Sequence, residues 1–381
     1  MTAAAGFRAS GVVAGLKSSG KPDVALVVND GPAFAAAAVF TSNRVQAAPV
    51  VWTRQVVGDG RVDAVILNSG GANACTGPEG FADTHRTAEH VAEVLGVSAG
   101  DVAVCSTGLI GERLPMPALL GGVDAAAAAL AAEGGRSAAL AIMTTDSVPK
   151  QATVSGSGYV IGGMAKGAGM LAPGLATMLV VITTDADVPA GELDTALRAA
   201  TRVSFDRLDS DGCMSTNDTV LLLASGASGV RPDTAEFAGV LRTVCLDLAL
   251  QLLRDAEGSS HDIAIEVVNA ASEDEAVEVG RSVARSNLFK AAVFGNDPNW
   301  GRILAAVGTT AAAFDPVDLD VSFNDVMVCR NGGLGESRDK VDLTPRQVEV
   351  RIDLKAGAAQ ATVWANDLTH DYVHENSAYS T

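Results

Sequence analysis

Aromatic side chains make up only 4% of the 381 residues, so the core cannot be organised around large rings and must be packed from small aliphatic groups brought close together. Apolar residues are nevertheless 48% of the chain, enough at this length to bury a sizeable core without disulfide staples. Positive charge is also scarce. Lys and Arg number 27 against 45 Asp and Glu, with no basic run, so most of the surface repels a nucleic-acid backbone and nucleic acid is excluded as a partner. An anionic substrate is not excluded, because one buried lysine in a cleft outweighs distant, screened carboxylates.

Long hydrophobic runs are missing. Stretches such as 178–182 are far too short to span a bilayer, and the N-terminus lacks a charged start followed by an apolar segment, so no membrane association is expected and the cytoplasm is the expected location. The five cysteines (Cys75, Cys105, Cys213, Cys245, Cys329) are widely spaced with no CxxC pair, and read as buried thiols in a reducing compartment. Of the five histidines only His370 and His374 share a helical spacing, and without the glutamate of a metalloprotease motif they read as surface residues, not metal ligands. No Gly/Ser- or Pro-rich stretch is long enough to serve as a linker, although the length would allow two domains as well as one interlocked core.

What is present is a repeated alternation. Short apolar runs at 24–28, 36–40, 62–67, 178–182, 220–223 and 263–268 lie between Gly-rich turns and read as buried strands. Helical spacing appears between them, in Leu193, Ala196, Leu197 and Ala200 and again in Phe237, Leu241, Val244 and Leu248. The alanine run 125–132 predicts a helix stopped by Gly134 and Gly135. Alternating segments at 319–323, 348–354 and 361–364 suggest a smaller α/β portion beginning near Ser286. By themselves these elements support helices packed on mixed sheets.

Two glycine motifs are decoys. Gly15-Leu-Lys-Ser-Ser-Gly-Lys21 follows a phosphate-binding loop, but Pro22 stands where a magnesium-binding hydroxyl belongs and a strand follows where a helix is needed, so it reads as a turn. Gly156, Gly158 and Gly162 imitate a dinucleotide fingerprint at the wrong spacing and read as a hairpin turn.

Chemistry concentrates in residues 162–182, where a Gly/Pro-rich loop runs into an apolar strand with Thr177 at the junction. A turn there can present the Ala176 carbonyl to the hydroxyl that follows it. Attack would shift the acyl group from nitrogen to oxygen, and hydrolysis of the ester would free an N-terminal threonine. Its α-amine, of a type that ordinarily titrates near about pH 8, can then accept the hydroxyl proton, so that one residue supplies nucleophile and base. Composition alone favours the plainer reading, in which Thr177 is a β-branched residue opening a strand.

The run Met164-Ala-Lys-Gly-Ala-Gly-Met-Leu-Ala-Pro-Gly-Leu-Ala-Thr-Met-Leu179 closely resembles the cleavage segment of the ornithine acetyltransferases, the bifunctional glutamate N-acetyltransferase/amino-acid acetyltransferases of arginine biosynthesis. The resemblance covers essentially the whole chain, through Ile66-Leu-Asn-Ser-Gly-Gly-Ala-Asn-Ala-Cys-Thr-Gly77, Cys105-Ser-Thr-Gly-Leu-Ile-Gly111, Ile142-Met-Thr-Thr-Asp146, Ser215-Thr-Asn-Asp-Thr219, Asp255-Ala-Glu-Gly258 and Glu375-Asn-Ser-Ala-Tyr-Ser-Thr381.

The resemblance implies an αββα sandwich-like core with the smaller C-terminal portion (286–381), cleaved between Ala176 and Thr177 into chains 1–176 and 177–381 that stay associated as an α2β2 heterotetramer. It implies Thr177 as nucleophile, Thr107 and Gly108 as oxyanion hole, and Thr144, Lys166, Thr177, Glu257, Asn376 and Thr381 as substrate contacts. The implied reaction moves acetyl from N-acetylornithine to glutamate, with acetyl-CoA as a donor in some relatives, and needs no metal or organic cofactor. Asn376 and Thr381 imply a C-terminal tail folded over the site and anchored by Tyr372 and Tyr379. Ser259-Ser260-His261 departs from the Thr-Lys or similar basic pair expected after Glu257. The rival readings are a hydrolase of similar self-processing fold, which would release ornithine without glutamate, and a non-catalytic sensor, which would stay uncleaved.

Overall fold

Most strands of the main core are buried on both faces, with successive residues entering two different cores. In the computed structural model, which describes residues 1–172 and 178–378, the strands of this core are β1 (Phe7–Val12), β2 (Val24–Asn29), β3 (Ala35–Phe40), β4 (Ala64–Asn68), β5 (Val102–Ser106), β6 (Lys150–Ser155), β7 (Val160–Lys166), β8 (Leu179–Thr184) and β9 (Thr219–Ala224). One sheet has the order β1-β2-β4-β5 and is antiparallel except for β4 and β5; the other has the order β3-β9-β8-β7-β6 and is antiparallel except for β8 and β9.

Ala25, Val27, Val65, Leu67, Ala103 and Cys105 of the first sheet share one core with Ala36, Ala38, Leu179, Val181, Leu221 and Leu223 of the second. The intervening residues face outward onto helices. Val24, Leu26, Ile66 and Val104 lie beneath α2 (Gly77–Leu95) and α3 (Met116–Ala128), which follow α1 (Ala48–Val56). Val180, Ile182, Val220 and Leu222 lie beneath α5 (Ala190–Arg202) and α6 (Thr234–Arg254), which follow α4 (Gly135–Ala141). The layers are therefore α, β, β, α, and the many alanines of the central layer allow the sheets to meet face to face. Helix α1 covers the free edge of β5, where Trp52 Nε1 donates to Val102 O (3.0 Å) and Thr53 Oγ1 donates to Val104 O (2.7 Å) while accepting from Val104 N (2.8 Å).

A third sheet follows, built from β10 (Asp262–Ala270), β11 (Asp320–Phe323), β12 (Val326–Arg330), β13 (Gly333–Leu334), β14 (Gln347–Asp353) and β15 (Ala359–Asn366) in the order β13-β12-β11-β14-β10-β15. Helices α7 (Glu273–Ala284), α8 (Asn287–Phe294) and α9 (Trp300–Val307) contribute to its own buried core. Strand β10 precedes Ser286 yet lies between β14 and β15, pairing in parallel with the first and antiparallel with the second. Helix α10 (His370–Ala378) closes the described chain.

Three sequence expectations can be set against these elements. The Gly15–Lys21 segment is a turn, as expected, closed by the Asp23 carboxylate, which accepts from the amides of Ala14, Leu16 and Lys17 at 2.6, 2.6 and 3.0 Å. In correction of the helix expected over 125–132 with its stop at Gly134 and Gly135, α3 begins at Met116 and ends at Ala128, because Ala131 pairs its backbone with Ala9 of β1, and Gly135 opens α4. Cys75 and Cys213 are exposed, in correction of the expectation that all five thiols are buried; both lie in loops rather than in the sheets that bury Cys105 and Cys329.

Candidate active site

The β5, β7, β8 and β9 strands bring their ends together at one side of the central layer. Asn217, just before β9, bridges the two sheets there, its Nδ2 donating to Ser106 O (2.8 Å) at the end of β5 and to Ala72 O (2.6 Å). Asn68 Nδ2 donates to Ser106 Oγ at 2.7 Å and ties β4 to the same point. A cavity opens over this junction, lined by Thr107, Gly108, Thr144, Lys166, Glu257 and Asn376 among others. Every described residue expected at the site is thus gathered around one space. Ala176, Thr177 and Thr381 lie outside the described residues, as does Tyr379.

Thr107 is buried, and its hydroxyl oxygen accepts from Lys166 Nζ at 3.3 Å, which leaves the hydroxyl proton available to a ligand in the cavity. Gly108 has φ +134, and a side chain there would place its Cβ 2.8 Å from Gly71 N. Only glycine suits that position. Gly71 N in turn donates to Thr107 O (3.0 Å), so the turn is held against the 69–72 segment.

Lys166 ends β7, opposite Leu179 of β8, and is fully enclosed. Burial pulls its ammonium pKa down, opposed by the carboxylates of Asp146, Asp218 and Glu257, while Lys150 depresses it further. Burial drives Asp146 upward, but Lys166, Lys150 and the Gly167 N–H outweigh it and hold the carboxyl below its usual range. Asp146 Oδ1 accepts from Lys150 Nζ (2.6 Å) and Gly167 N (2.7 Å), and its Oδ2 from Thr144 N (3.0 Å). Lys150 Nζ also reaches Asp255 Oδ2 at 2.6 Å, and Asp255 receives the backbone N–H of Ser147 at 3.0 Å. One buried lysine therefore fastens the loops that carry Thr144, Lys166 and Glu257. Lys17, from the phosphate-loop look-alike, supports the same loop from behind by donating to Met143 O at 2.6 Å; burial, reinforced by Lys166, brings its pKa down to about 8 despite Asp23 and Asp146.

Glu257 is positioned by its own amide, which donates to Ala168 O (3.0 Å), and its Oε2 accepts from Asn376 Nδ2 (3.0 Å). Helix α10 does fold back to the site. Gly258, at φ +59, allows that approach, since a Cβ there would lie 2.2 Å from Tyr372 N. Burial, with Asp211 and Glu257 nearby, pushes the half-buried Tyr372 phenol up to about 12. Within the unusual Ser259-Ser260-His261 sequence, Ser260 and His261 clamp Asp367, whose Oδ1 accepts from both Ser260 N and His261 N at 2.9 Å and whose Oδ2 lies 2.8 Å from His261 Nδ1. The departure fixes the approach to α10 without entering the cavity. His370 and His374 are exposed on that helix, as expected.

Residue-by-residue expectation gave no role to Asn217, Asp218, Asp146 or Lys150. Asp218 is fully buried; its Oδ1 accepts from Met178 N at 3.0 Å, and its Oδ2 has no hydrogen-bond partner among the described residues. Burial raises its pKa well above the carboxylate range, although the Met178 amide, Lys166 and the Ser215 hydroxyl act the other way. Three of these four residues lie in segments that carry the family resemblance, which was the available signal.

The ArgJ family profile matches residues 8–381. The chain is 66% identical to the arginine biosynthesis bifunctional protein ArgJ of Streptomyces coelicolor and 65% identical to that of Thermobifida fusca, in each case over the full length of both proteins. The Mycobacterium leprae protein of the same name is 56% identical, across all of this chain and 96% of its own. Among solved structures, an ornithine acetyltransferase complexed with ornithine from Mycobacterium tuberculosis is 57% identical, covering 47% of this chain and 95% of that one, with a TM-score of 0.43. With a profile match that runs nearly from end to end and relatives this similar over their whole lengths, the chain belongs to the ArgJ family.

Proposed function

We propose that the chain is a bifunctional acetyltransferase of arginine biosynthesis that cleaves itself between Ala176 and Thr177 and then carries acetyl on the Thr177 hydroxyl. Acetyl passes from N-acetylornithine to Thr177, ornithine leaves, and glutamate takes the acetyl group as N-acetylglutamate; acetyl-CoA is a second donor to glutamate. The observation that carries this reading is the convergence of Thr107, Gly108, Thr144, Lys166, Glu257 and Asn376 on one cavity, beside the strand that begins two residues after Thr177.

Each role follows from chemistry. Attack on an acetyl carbonyl places negative charge on oxygen, and the Thr107 hydroxyl with the Gly108 N–H can stabilise it; one such donor is commonly worth about 10²- to 10³-fold in rate. The Lys166 ammonium suits a substrate carboxylate and the Glu257 carboxylate suits a substrate amine, with Thr144, Asn376 and Thr381 completing the contacts. The enclosed setting supports protection of the acyl-enzyme from water. In this reading residues 1–176 and 177–381 remain together, two processed protomers form an α2β2 heterotetramer, and the enzyme works in the cytoplasm without metal or organic cofactor.

The test is direct. Purified protein should run as two fragments on a denaturing gel, and Thr177→Ala should remain one chain with no transfer activity. Ornithine release from N-acetylornithine should depend on added glutamate. Cleavage that persists in Thr177→Ala removes Thr177 as the nucleophile, and glutamate-independent release makes the protein a hydrolase.

A further inference from the structure

Self-cleavage has a proton requirement that the α-amine of Thr177 cannot meet, because that amine does not exist until the Ala176–Thr177 bond has broken. The nitrogen leaving the Ala176 carbonyl must gain a proton, and a general acid close by is needed to supply it. We infer that the buried Asp218 carboxyl is the proton donor to the Thr177 nitrogen during self-cleavage. This rests on the proposed cleavage and names the residue that enables it.

Three observations converge on Asp218. Its Oδ1 is anchored by the Met178 amide at 3.0 Å, and only three covalent bonds separate that nitrogen from the nitrogen of Thr177. Its other oxygen is buried and has no hydrogen-bond partner among the described residues, a costly arrangement for an ionised carboxylate but a natural one for an acid holding its proton. Lys166 and Glu257 line the cavity, but their hydrogen bonds run to Thr107 and Asn376, whereas Asp218 is bonded to the Met178 amide itself. Asp206, which also acts on Asp218 electrostatically, favours retention of the proton, whereas Lys166 and Ser215 oppose it without reversing the effect of burial.

The step balances. The Thr177 hydroxyl oxygen bonds to the Ala176 carbonyl carbon, the carbon–nitrogen bond breaks, and its electron pair stays on nitrogen. Asp218 gives that nitrogen its proton, and the carboxylate left behind takes up the proton shed by the hydroxyl. Peptide becomes ester with no net change in protons, and water then hydrolyses the ester.

The experiment follows the full-length chain made by cell-free translation, with conversion to fragments read on denaturing gels. Wild type, Thr177→Ala, Asp218→Asn and Asp218→Glu are compared. Asp218→Asn keeps an acceptor for Met178 N but has no acidic proton, and should slow cleavage by about 10²-fold or more, the usual range for general acid catalysis. Asp218→Glu should recover part of the rate. In wild type, cleavage should slow as pH rises from the ordinary carboxylate range, about 4, into the alkaline region. Asp218→Asn cleaving at the wild-type rate overturns the inference, as does a wild-type rate that is flat or rising over that range, which decides the matter even if the variant does not fold. A wild-type chain that stays whole removes the proposed cleavage and the role of Asp218 with it; a wild type that cleaves alongside an equally fast Asp218→Asn removes only the latter.

Discussion

At the residue scale, the site is governed by how few charges are buried and how completely they are enclosed. Lys166 shows the consequence. Burial lowers its pKa, so the ammonium loses its proton at a lower pH than an ordinary lysine, whose value is about 10.4. If the ammonium holds a substrate carboxylate, the KM for glutamate should begin to rise at a pH below that value, and Lys166→Met should show a high KM with no such dependence. A wild-type KM that stays level until about pH 10 would separate Lys166 from substrate binding. Thr107, Gly108, Lys166 and Glu257 were singled out through the family resemblance of their segments, whereas residue type alone would make the first two an ordinary turn and the last two solvated charges; the fold gathers all four around one cavity. Asp218 and Asn217 lie within such a segment too, but their roles depend on partners such as Met178, 40 positions away, and Ser106, 111 positions away, which no local pattern encodes.

At the scale of elements, β6 illustrates a different blind spot. Its first residue, Lys150, drew no expectation from the sequence, yet it is fully buried between Asp146 and Asp255, the latter 105 positions away. Removing one member of such a cluster strands the others: Lys150→Met should destabilise the fold by about 3–5 kcal/mol. Because the same cluster fastens the Thr144, Lys166 and Glu257 segments, the folded variant should also bind N-acetylornithine more weakly. Chemical denaturation and KM measured on the same preparation check both effects, and unchanged values would make the cluster dispensable. Strands β2, β3, β9 and β10 were readable from their apolar runs, as was the β6–β7 hairpin from its glycines. The end of α3 was not, since pairing of Ala131 with Ala9 overrides a strong alanine helix propensity only once the fold brings them together.

At the scale of the whole molecule, stability rests on two sheets pressed together through small side chains. Leu221 is one of the larger residues in that layer and is completely buried. Leu221→Ala should therefore cost about 2–5 kcal/mol, with the loss depending on how far the surrounding alanines and valines can close the space. Denaturant titration provides the measurement, and an unchanged midpoint would mean that the layers do not depend on close packing there. The αββα layering came through the family resemblance, since the central strands are buried on both faces, and strand order could not be read from hydrophobicity either, because every strand presents a similar apolar face and pairing is chosen across long sequence distances.

The order β3-β9-β8-β7-β6 has one more consequence. Strands β3, β7 and β6 precede position 177, whereas β9 and β8 follow it, so the later pair is wedged between segments of the earlier chain. Severing the backbone at that point would alter the chemistry of a chain end while leaving its address unchanged. Ladders on both flanks would keep the pieces interwoven, and separating them would require dismantling the sheet.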